Sequence, residues 1–256
     1  MRWSDEGIVL ATRRHGESAL LVHLLTREHG RHAGLVRGGQ RPKARAAWQI
    51  GNRLAVTWNA RLAEHLGLFQ GELIAGYAAR FIEDRLRLAC LAAAAAVAEA
   101  TLPEREPHPR AHAGLAGLLA ALARDAGWAA DYVRWELDLL AELGFGLDLA
   151  RCAATGTSED LVYVSPRSGQ AVSEAAGARY RDRLLALPPF LRADESNAET
   201  SPQDVLAGLA LTGFFLERRV LAPQNRKLPA ARSRFVDALG RFALENEGAV
   251  KPIGVA

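Results

Sequence analysis

The sequence predicts an α+β chain, with a small antiparallel barrel leading into a helical region. Three observations predict it. The first 75 residues break into short apolar runs divided by Gly and charged turns. From about Tyr77 the texture becomes Ala- and Leu-rich, with no Gly or Pro between Phe81 and Thr101. Between the third and fourth apolar runs lies a basic stretch, RGGQRPKAR, that interrupts the strand pattern as a long loop would.

The elements follow in order. Residues 7–12 (GIVLAT), 19–26 (ALLVHLLT) and 31–37 read as strands, with turns at Gly16 and at Glu28-His29-Gly30. After the basic loop, Leu54, Val56 and Trp58 alternate with Ala55 and Thr57, the period of a half-buried strand. Residues 68–74 (LFQGELI) make a fifth strand, with a short helix expected over 60–66. Five short antiparallel strands with one long loop suggest a Greek-key barrel of OB type. Helices are expected over 81–101, 113–123, 128–143, 178–187, 201–221 and 229–247. Ser201 with Asp204 forms an N-terminal capping pattern, and Gly144 is the stop of the third helix. Between them, 161–164 and 170–172 read as a hairpin turning at 166–169. The domains expected are a barrel over 1–77 and a helical domain over 78–256, with a hairpin insertion at about 150–176.

The net charge of +3 is unevenly spread. Residues 1–60 hold ten Lys and Arg against four acids, so the remainder is mildly acidic. A positive N-terminal unit is the footprint of a phosphate-binding module. Residues 27–53 concentrate it, with Arg27, Arg31, Arg37, Arg41, Lys43, Arg45 and Arg53 against Glu28. Guanidinium groups pair with phosphates, and glycines let a flexible loop follow them. The competing reading is a solvated surface loop. Trp48 and Trp58 flank the loop. Trp58 points inward by alternation, whereas Trp48 is either core or a platform for a base.

Several chemistries find no support. The basic stretch lacks the order of a phosphate-binding GxxxxGK[ST] loop, and no GxSxG turn occurs. His29 and His32 flank a turn among cations and read as solvated or phosphate-facing. Cys90 lies within an Ala-rich helix and reads as a small buried hydrophobe. Glu136 and Asp138 do not share a helix face. No nucleophile is assembled with a base, so neither an enzyme nor a cofactor is indicated. The longest uncharged apolar run, 88–98, is too short to span a bilayer. With no leader at the N-terminus and two distant cysteines, Cys90 and Cys152, a cytoplasmic protein is expected.

The opening, residues 5–39, resembles the N-terminus of the RecO family of bacterial recombination mediators. The matching features are the GIVL strand, Arg13 to Glu17 (R-x-x-GE), Leu25 to Arg31 (LT-x-E-x-G-R) and Val36-Arg37-Gly38. Trp135 to Cys152 is similar to the family's F-E-x-x-L-L segment, and Lys227 to Phe235 to its basic helix. Many members carry four cysteines around a YxSP hairpin and bind zinc. Here those positions read Cys152, Thr155, Ser173 and Ala176, while Tyr163-Val164-Ser165-Pro166 remains. Zinc needs about four N or S ligands, so a zinc-finger-like hairpin that has lost its metal is expected. The resemblance implies a non-enzymatic, nucleoid-associated protein. It would bind single- and double-stranded DNA, anneal strands, engage the acidic tail of single-stranded-DNA-binding protein, and work with RecR to load RecA. DNA-binding candidates are Arg13, Arg14, Arg27, Arg31, Arg37, Arg41, Lys43, Arg45, Trp48 and Arg53. Candidates for the acidic tail are Phe214, Arg218, Arg219, Lys227, Arg232 and Arg234. The alternative is a protein-interaction adaptor whose basic loop is a docking surface without DNA affinity.

Overall fold

The computed structural model describes residues 1–124, 127–192 and 200–249, with side chains described as far as 245. Five strands close a barrel: β1 (Arg2–His15), β2 (Ala19–Thr26), β3 (Gly30–Val36), β4 (Arg53–Asn59) and β5 (Leu68–Ala75). Their order is β1-β2-β3-β5-β4, with β4 pairing back to β1 and only β3 and β5 parallel. This is the five-stranded OB arrangement expected. The barrel is filled by Val9, Leu20, Val22, Leu24, Val36, Trp48, Leu54, Val56, Trp58 and Phe69. Trp58 is inward as the alternation predicts, and its Nε1 donates to the Leu66 carbonyl.

β1 is twice the expected length because it serves two partners. Residues 2–8 pair with β4, and residues 7–15 with β2. At its centre both faces are buried. Val9 points into the barrel, while Ile8 and Leu10 join the core of the helical half.

The helical half comprises α2 (Arg85–Thr101), α3 (Pro109–Ala121), α4 (Trp128–Glu142), α5 (Glu174–Gly177), α6 (Pro202–Phe215) and α7 (Ala230–Ala249). Asp84 caps α2 by accepting from the amides of Leu86 and Arg87. Ser201 and Asp204 form the capping box read from the sequence. Gly144 takes φ +83° where α4 stops. A three-stranded sheet, β6 (Leu161–Val164), β7 (Ala171–Ser173) and β8 (Leu185–Ala186), has β6 in the middle.

Three expectations are corrected. Residues 60–66 are not helical: the Ala60 amide is drawn to the Met1 carbonyl, the His65 amide closes a tighter turn on Leu62, and Arg105 holds the segment by donating to the carbonyls of Ala63, Glu64 and His65. The expected helix over 178–187 is a 3-10 turn over Ala178–Arg183 followed by β8, since pairing with β6 competes for Leu185 and Ala186. The basic stretch is only partly a flexible loop: residues 42–47 form α1 (Pro42–Ala47). Pro42 suits a first helical turn, and Ala44, Ala46 and Ala47 favour helix.

His32 is also corrected. It is buried against Trp3, Trp58 and Phe69, and neither ring nitrogen has a hydrogen-bond partner among the described residues. Burial, reinforced by the nearby Arg105 charge, draws its pKa down to about 4. His29 instead stacks on Trp3 and lies 3.0 Å from the Asp5 carboxylate.

In the helical core, Glu136 of α4 meets Arg232 of α7. Arg232 donates from Nε at 2.7 Å and Nη2 at 2.8 Å, and the Thr212 hydroxyl also donates to Glu136. Glu136 is fully buried and Arg232 is 4% exposed.

Two outcomes follow. Glu136→Ala leaves a buried guanidinium unpaired and should cost about 3–5 kcal/mol in urea unfolding, with Glu136→Leu/Arg232→Met recovering most of that loss. Neutral His32 is held by the fold, whereas the unfolded chain takes a proton near pH 6.5. Its contribution is therefore complete above pH 6.5 and lost towards pH 4, about 2 kcal/mol of it by pH 5. Burial depresses His112 too, so His32→Phe should flatten only part of the unfolding-midpoint slope between pH 7 and 5.

Candidate nucleic-acid interface

Much of the outer face where OB barrels commonly hold oligonucleotides is covered: α2 packs on β1 and β2, α3 packs on β2, and the 102–106 connection lies along the start of β3. Leu25 joins the helical core, and His23 lies 3.0 Å from Glu99 of α2. Arg31 donates from Nε to the Leu102 carbonyl, and the Arg105 amide donates back to the Arg31 carbonyl. Beside it, Gly30 has φ +65°, and a Cβ there would stand 1.9 Å from the Glu106 carbonyl oxygen. Only glycine fits.

Four exposed cations gather around α1. The chain leaves β3 through a turn at Gly38 (φ +64°), in which the Gly39 amide donates to Val36 and the Arg41 amide to Gly38. Gln40 ties this turn to the β1–β2 turn by donating to the carbonyls of Gly16 and Ala19. Asn52 holds the far end, donating to Ala46 and Ala47 and accepting from the Tyr77 amide. Arg37, Arg41, Lys43 and Arg45 are all exposed on this braced unit.

Two clefts flank it. One, of about 870 Å³, runs between α1 and β5 with Arg37, Arg41 and Lys43 on its walls and Gly71, Glu72 and Leu73 opposite. Gly71 lies across from Trp48, where an added Cβ would come 3.1 Å from the indole. The other, of about 420 Å³, lies between the barrel and α2 and includes Arg14, Gln40 and Arg45. Trp48 and Gln49 line both.

The ten predicted DNA-binding residues therefore separate. Arg14, Arg37, Arg41, Lys43 and Arg45 come together. Arg13 is exposed on β1, near enough to Glu99 to help hold its carboxyl low, behind the His23 hydrogen bond. Arg27 is exposed at the end of β2, where its amide donates to the Glu6 carbonyl, and the Arg53 guanidinium pairs with the Glu6 carboxylate. Arg31 ties the barrel to the helices. Trp48 is 3% exposed and belongs to the barrel core, so it is no platform for a base. Gln40, Gln49 and the β5 edge were missed; they carry no charge pattern, although Gly71 interrupts a strand.

Among the acidic-tail candidates, Arg232 is corrected: it is buried on Glu136 and offers no rim charge. Phe214 is half-buried with the Arg218 guanidinium 5.7 Å from its ring. Arg219 donates to the Arg167 carbonyl. Lys227 and Arg234 are exposed.

Models described as Recombination protein O N terminal and Recombination protein O C terminal match residues 1–77 and 82–229. The chain belongs to the RecO family. It is 52% identical over 248 residues to the DNA repair protein RecO of Rhodospirillum rubrum, covering 95% of this chain and 98% of that one. It is 53% identical over 239 residues to the RecO of Rhodospirillum centenum, covering 93% and 94%. To that of Ruegeria sp. it is 47% identical over 243 residues, covering 94% and 99%. A role in DNA repair follows from this membership. Among the described residues no helix is long and apolar enough to cross a membrane.

At the hairpin, Cys152 and Ser173 meet, two of the four positions read from the sequence as a lost metal site. Cys152 Sγ accepts from the Ser173 amide at 3.3 Å and the Ser173 hydroxyl at 3.5 Å. Burial pushes this thiol up, but hydrogen bonds from Ser173 and Thr155 outweigh it and draw the pKa down to about 6. One sulfur and two hydroxyls are a poor set for zinc. Elemental analysis of dialysed protein should find well under one zinc per chain; one-to-one zinc would contradict this.

Proposed function

We propose that this RecO-family chain is a non-catalytic mediator that binds DNA across α1, with a strand lying over that helix and the two clefts beside it. One observation carries the reading. Five open cations, Arg14, Arg37, Arg41, Lys43 and Arg45, surround a braced helix while the usual barrel face is covered by α2 and α3. The guanidinium groups and Lys43 suit phosphates, and the apolar walls of the larger cleft suit an unstacked base. Binding should therefore favour single strands but tolerate duplex, where phosphate contacts alone remain. Annealing complementary strands and, with RecR, loading RecA are the roles this surface would serve.

The acidic tail of single-stranded-DNA-binding protein is assigned to Phe214, Arg218 and Arg219, with Lys227 and Arg234 as peripheral cations. The half-buried Phe214 ring beneath a guanidinium is the feature that favours it. Rim cations mainly speed association, so tail binding should weaken as salt rises.

Replacing Arg37, Arg41, Lys43 and Arg45 together by alanine should weaken oligonucleotide binding strongly. It should also flatten the slope of log affinity against log salt by about 3 for a single strand, at roughly 0.7 per lost contact. Fluorescence anisotropy with a labelled oligothymidine at several salt concentrations measures both. An adaptor without DNA affinity would show no salt-dependent binding in either protein.

A further inference from the structure

The helical half carries a second basic surface, in the segment Ala178-Arg179-Tyr180-Arg181-Asp182-Arg183. All six residues are exposed. Tyr180 is 59% exposed, one of the few large aromatic rings turned to solvent among the described residues. The Arg181 guanidinium is 73% exposed and reaches Asp182 only at 3.8 Å, so that acid leaves it largely free. The turn is nonetheless clamped. On one side Gly177 sits beneath Tyr163, where an added Cβ would lie 2.5 Å from the ring. On the other, β8 pairs with β6, and the Leu187 amide donates to the Val162 carbonyl. The Leu184 amide closes the turn on the Arg181 carbonyl. Register extends the patch: Leu185 stands opposite Val164, so the turn leaves the sheet at the end where β6 turns into β7. That end carries the exposed Arg167.

We propose that this turn is a second single-strand-binding site, in which Tyr180 stacks on a base while Arg179, Arg181, Arg183 and Arg167 pair with phosphates. The chemistry favours a nucleic-acid strand over an acidic peptide. A tyrosine ring held outward between guanidinium groups matches a polymer that alternates flat bases with anions. All six residues of the segment are exposed, so bases and phosphates can reach it from solvent. Two sites on one chain can hold two strands at once, which raises the effective concentration of each for the other. The inference goes beyond the α1 reading and can fail separately from it.

The test uses the full chain and a 20-nucleotide oligothymidine carrying 4-thiothymidine, cross-linked by light and mapped by mass spectrometry. Cross-links are expected at Tyr180, and they should persist in the variant lacking the four α1 cations. A quadruple serine variant at Arg179, Tyr180, Arg181 and Arg183 should keep its circular dichroism and bind one short strand per chain where wild type binds two in a saturating titration. Its rate of annealing complementary 30-mers should fall at least fivefold. No cross-link at Tyr180, or an unchanged annealing rate in the folded variant, would overturn the proposal. So would binding of an acidic peptide here without any oligonucleotide. Cross-linking at Tyr180 together with full DNA affinity in the α1 variant would support this site while refuting the first one.

Discussion

The packing of α2 and α3 against the outside of the barrel is the constraint on which the rest depends. β1 is buried on both faces at its centre, with Val9 turned into the barrel and Ile8 and Leu10 turned into the helices. Leu25 adds to the same contact, and at roughly 25 cal/mol per Å² of apolar surface such side chains make the junction a continuation of the core. Arg31 and Gly30 finish the join, one by a hydrogen bond to Leu102 and the other by having no side chain to strike Glu106.

That packing decides where a ligand can go. With β2 and the centre of β1 covered, the open barrel surface includes β5, the outer positions of β4 and the α1 segment. There the Gly38 turn, the Gln40 tether and the Asn52 bracket fix the orientation of an otherwise pliable stretch. Side chains at 41, 43 and 45 fan out from one short helix, so the charge is concentrated without any acid in its first turn to offset it. The buried Glu136–Arg232 pair does the corresponding task in the helical half, joining α4 to α7 with Thr212 of α6. It also accounts for two segments that resemble the RecO pattern, since each contributes one partner.

Local chemistry made much of this legible from sequence. The alternation of Leu54, Val56 and Trp58 identified an inward face, Ser201 and Asp204 marked a helix start, and Gly30 and Gly144 marked reversals. What stayed hidden depends on partners far along the chain. Arg31 finds Leu102 across 71 residues, Arg232 finds Glu136 across 96, and Arg105 reaches back about 40 to hold the non-helical segment at 60–66. A charge count cannot separate a free arginine from a paired one: Arg53 is held by the Glu6 carboxylate and Arg31 by the Leu102 carbonyl. Helix α1 escaped notice because six residues beside glycines carry too little periodicity. Trp48 follows that helix rather than a strand, and alternation does not reach it.

Hydrogen–deuterium exchange with and without a 20-nucleotide oligothymidine tests the central claim most directly, because it reports every barrel segment at once. The account predicts slowed exchange over residues 37–49 and along β5, with β2 and residues 31–36 unchanged by DNA. Protection concentrated on β2 and β3, with residues 37–49 unaffected, would contradict it.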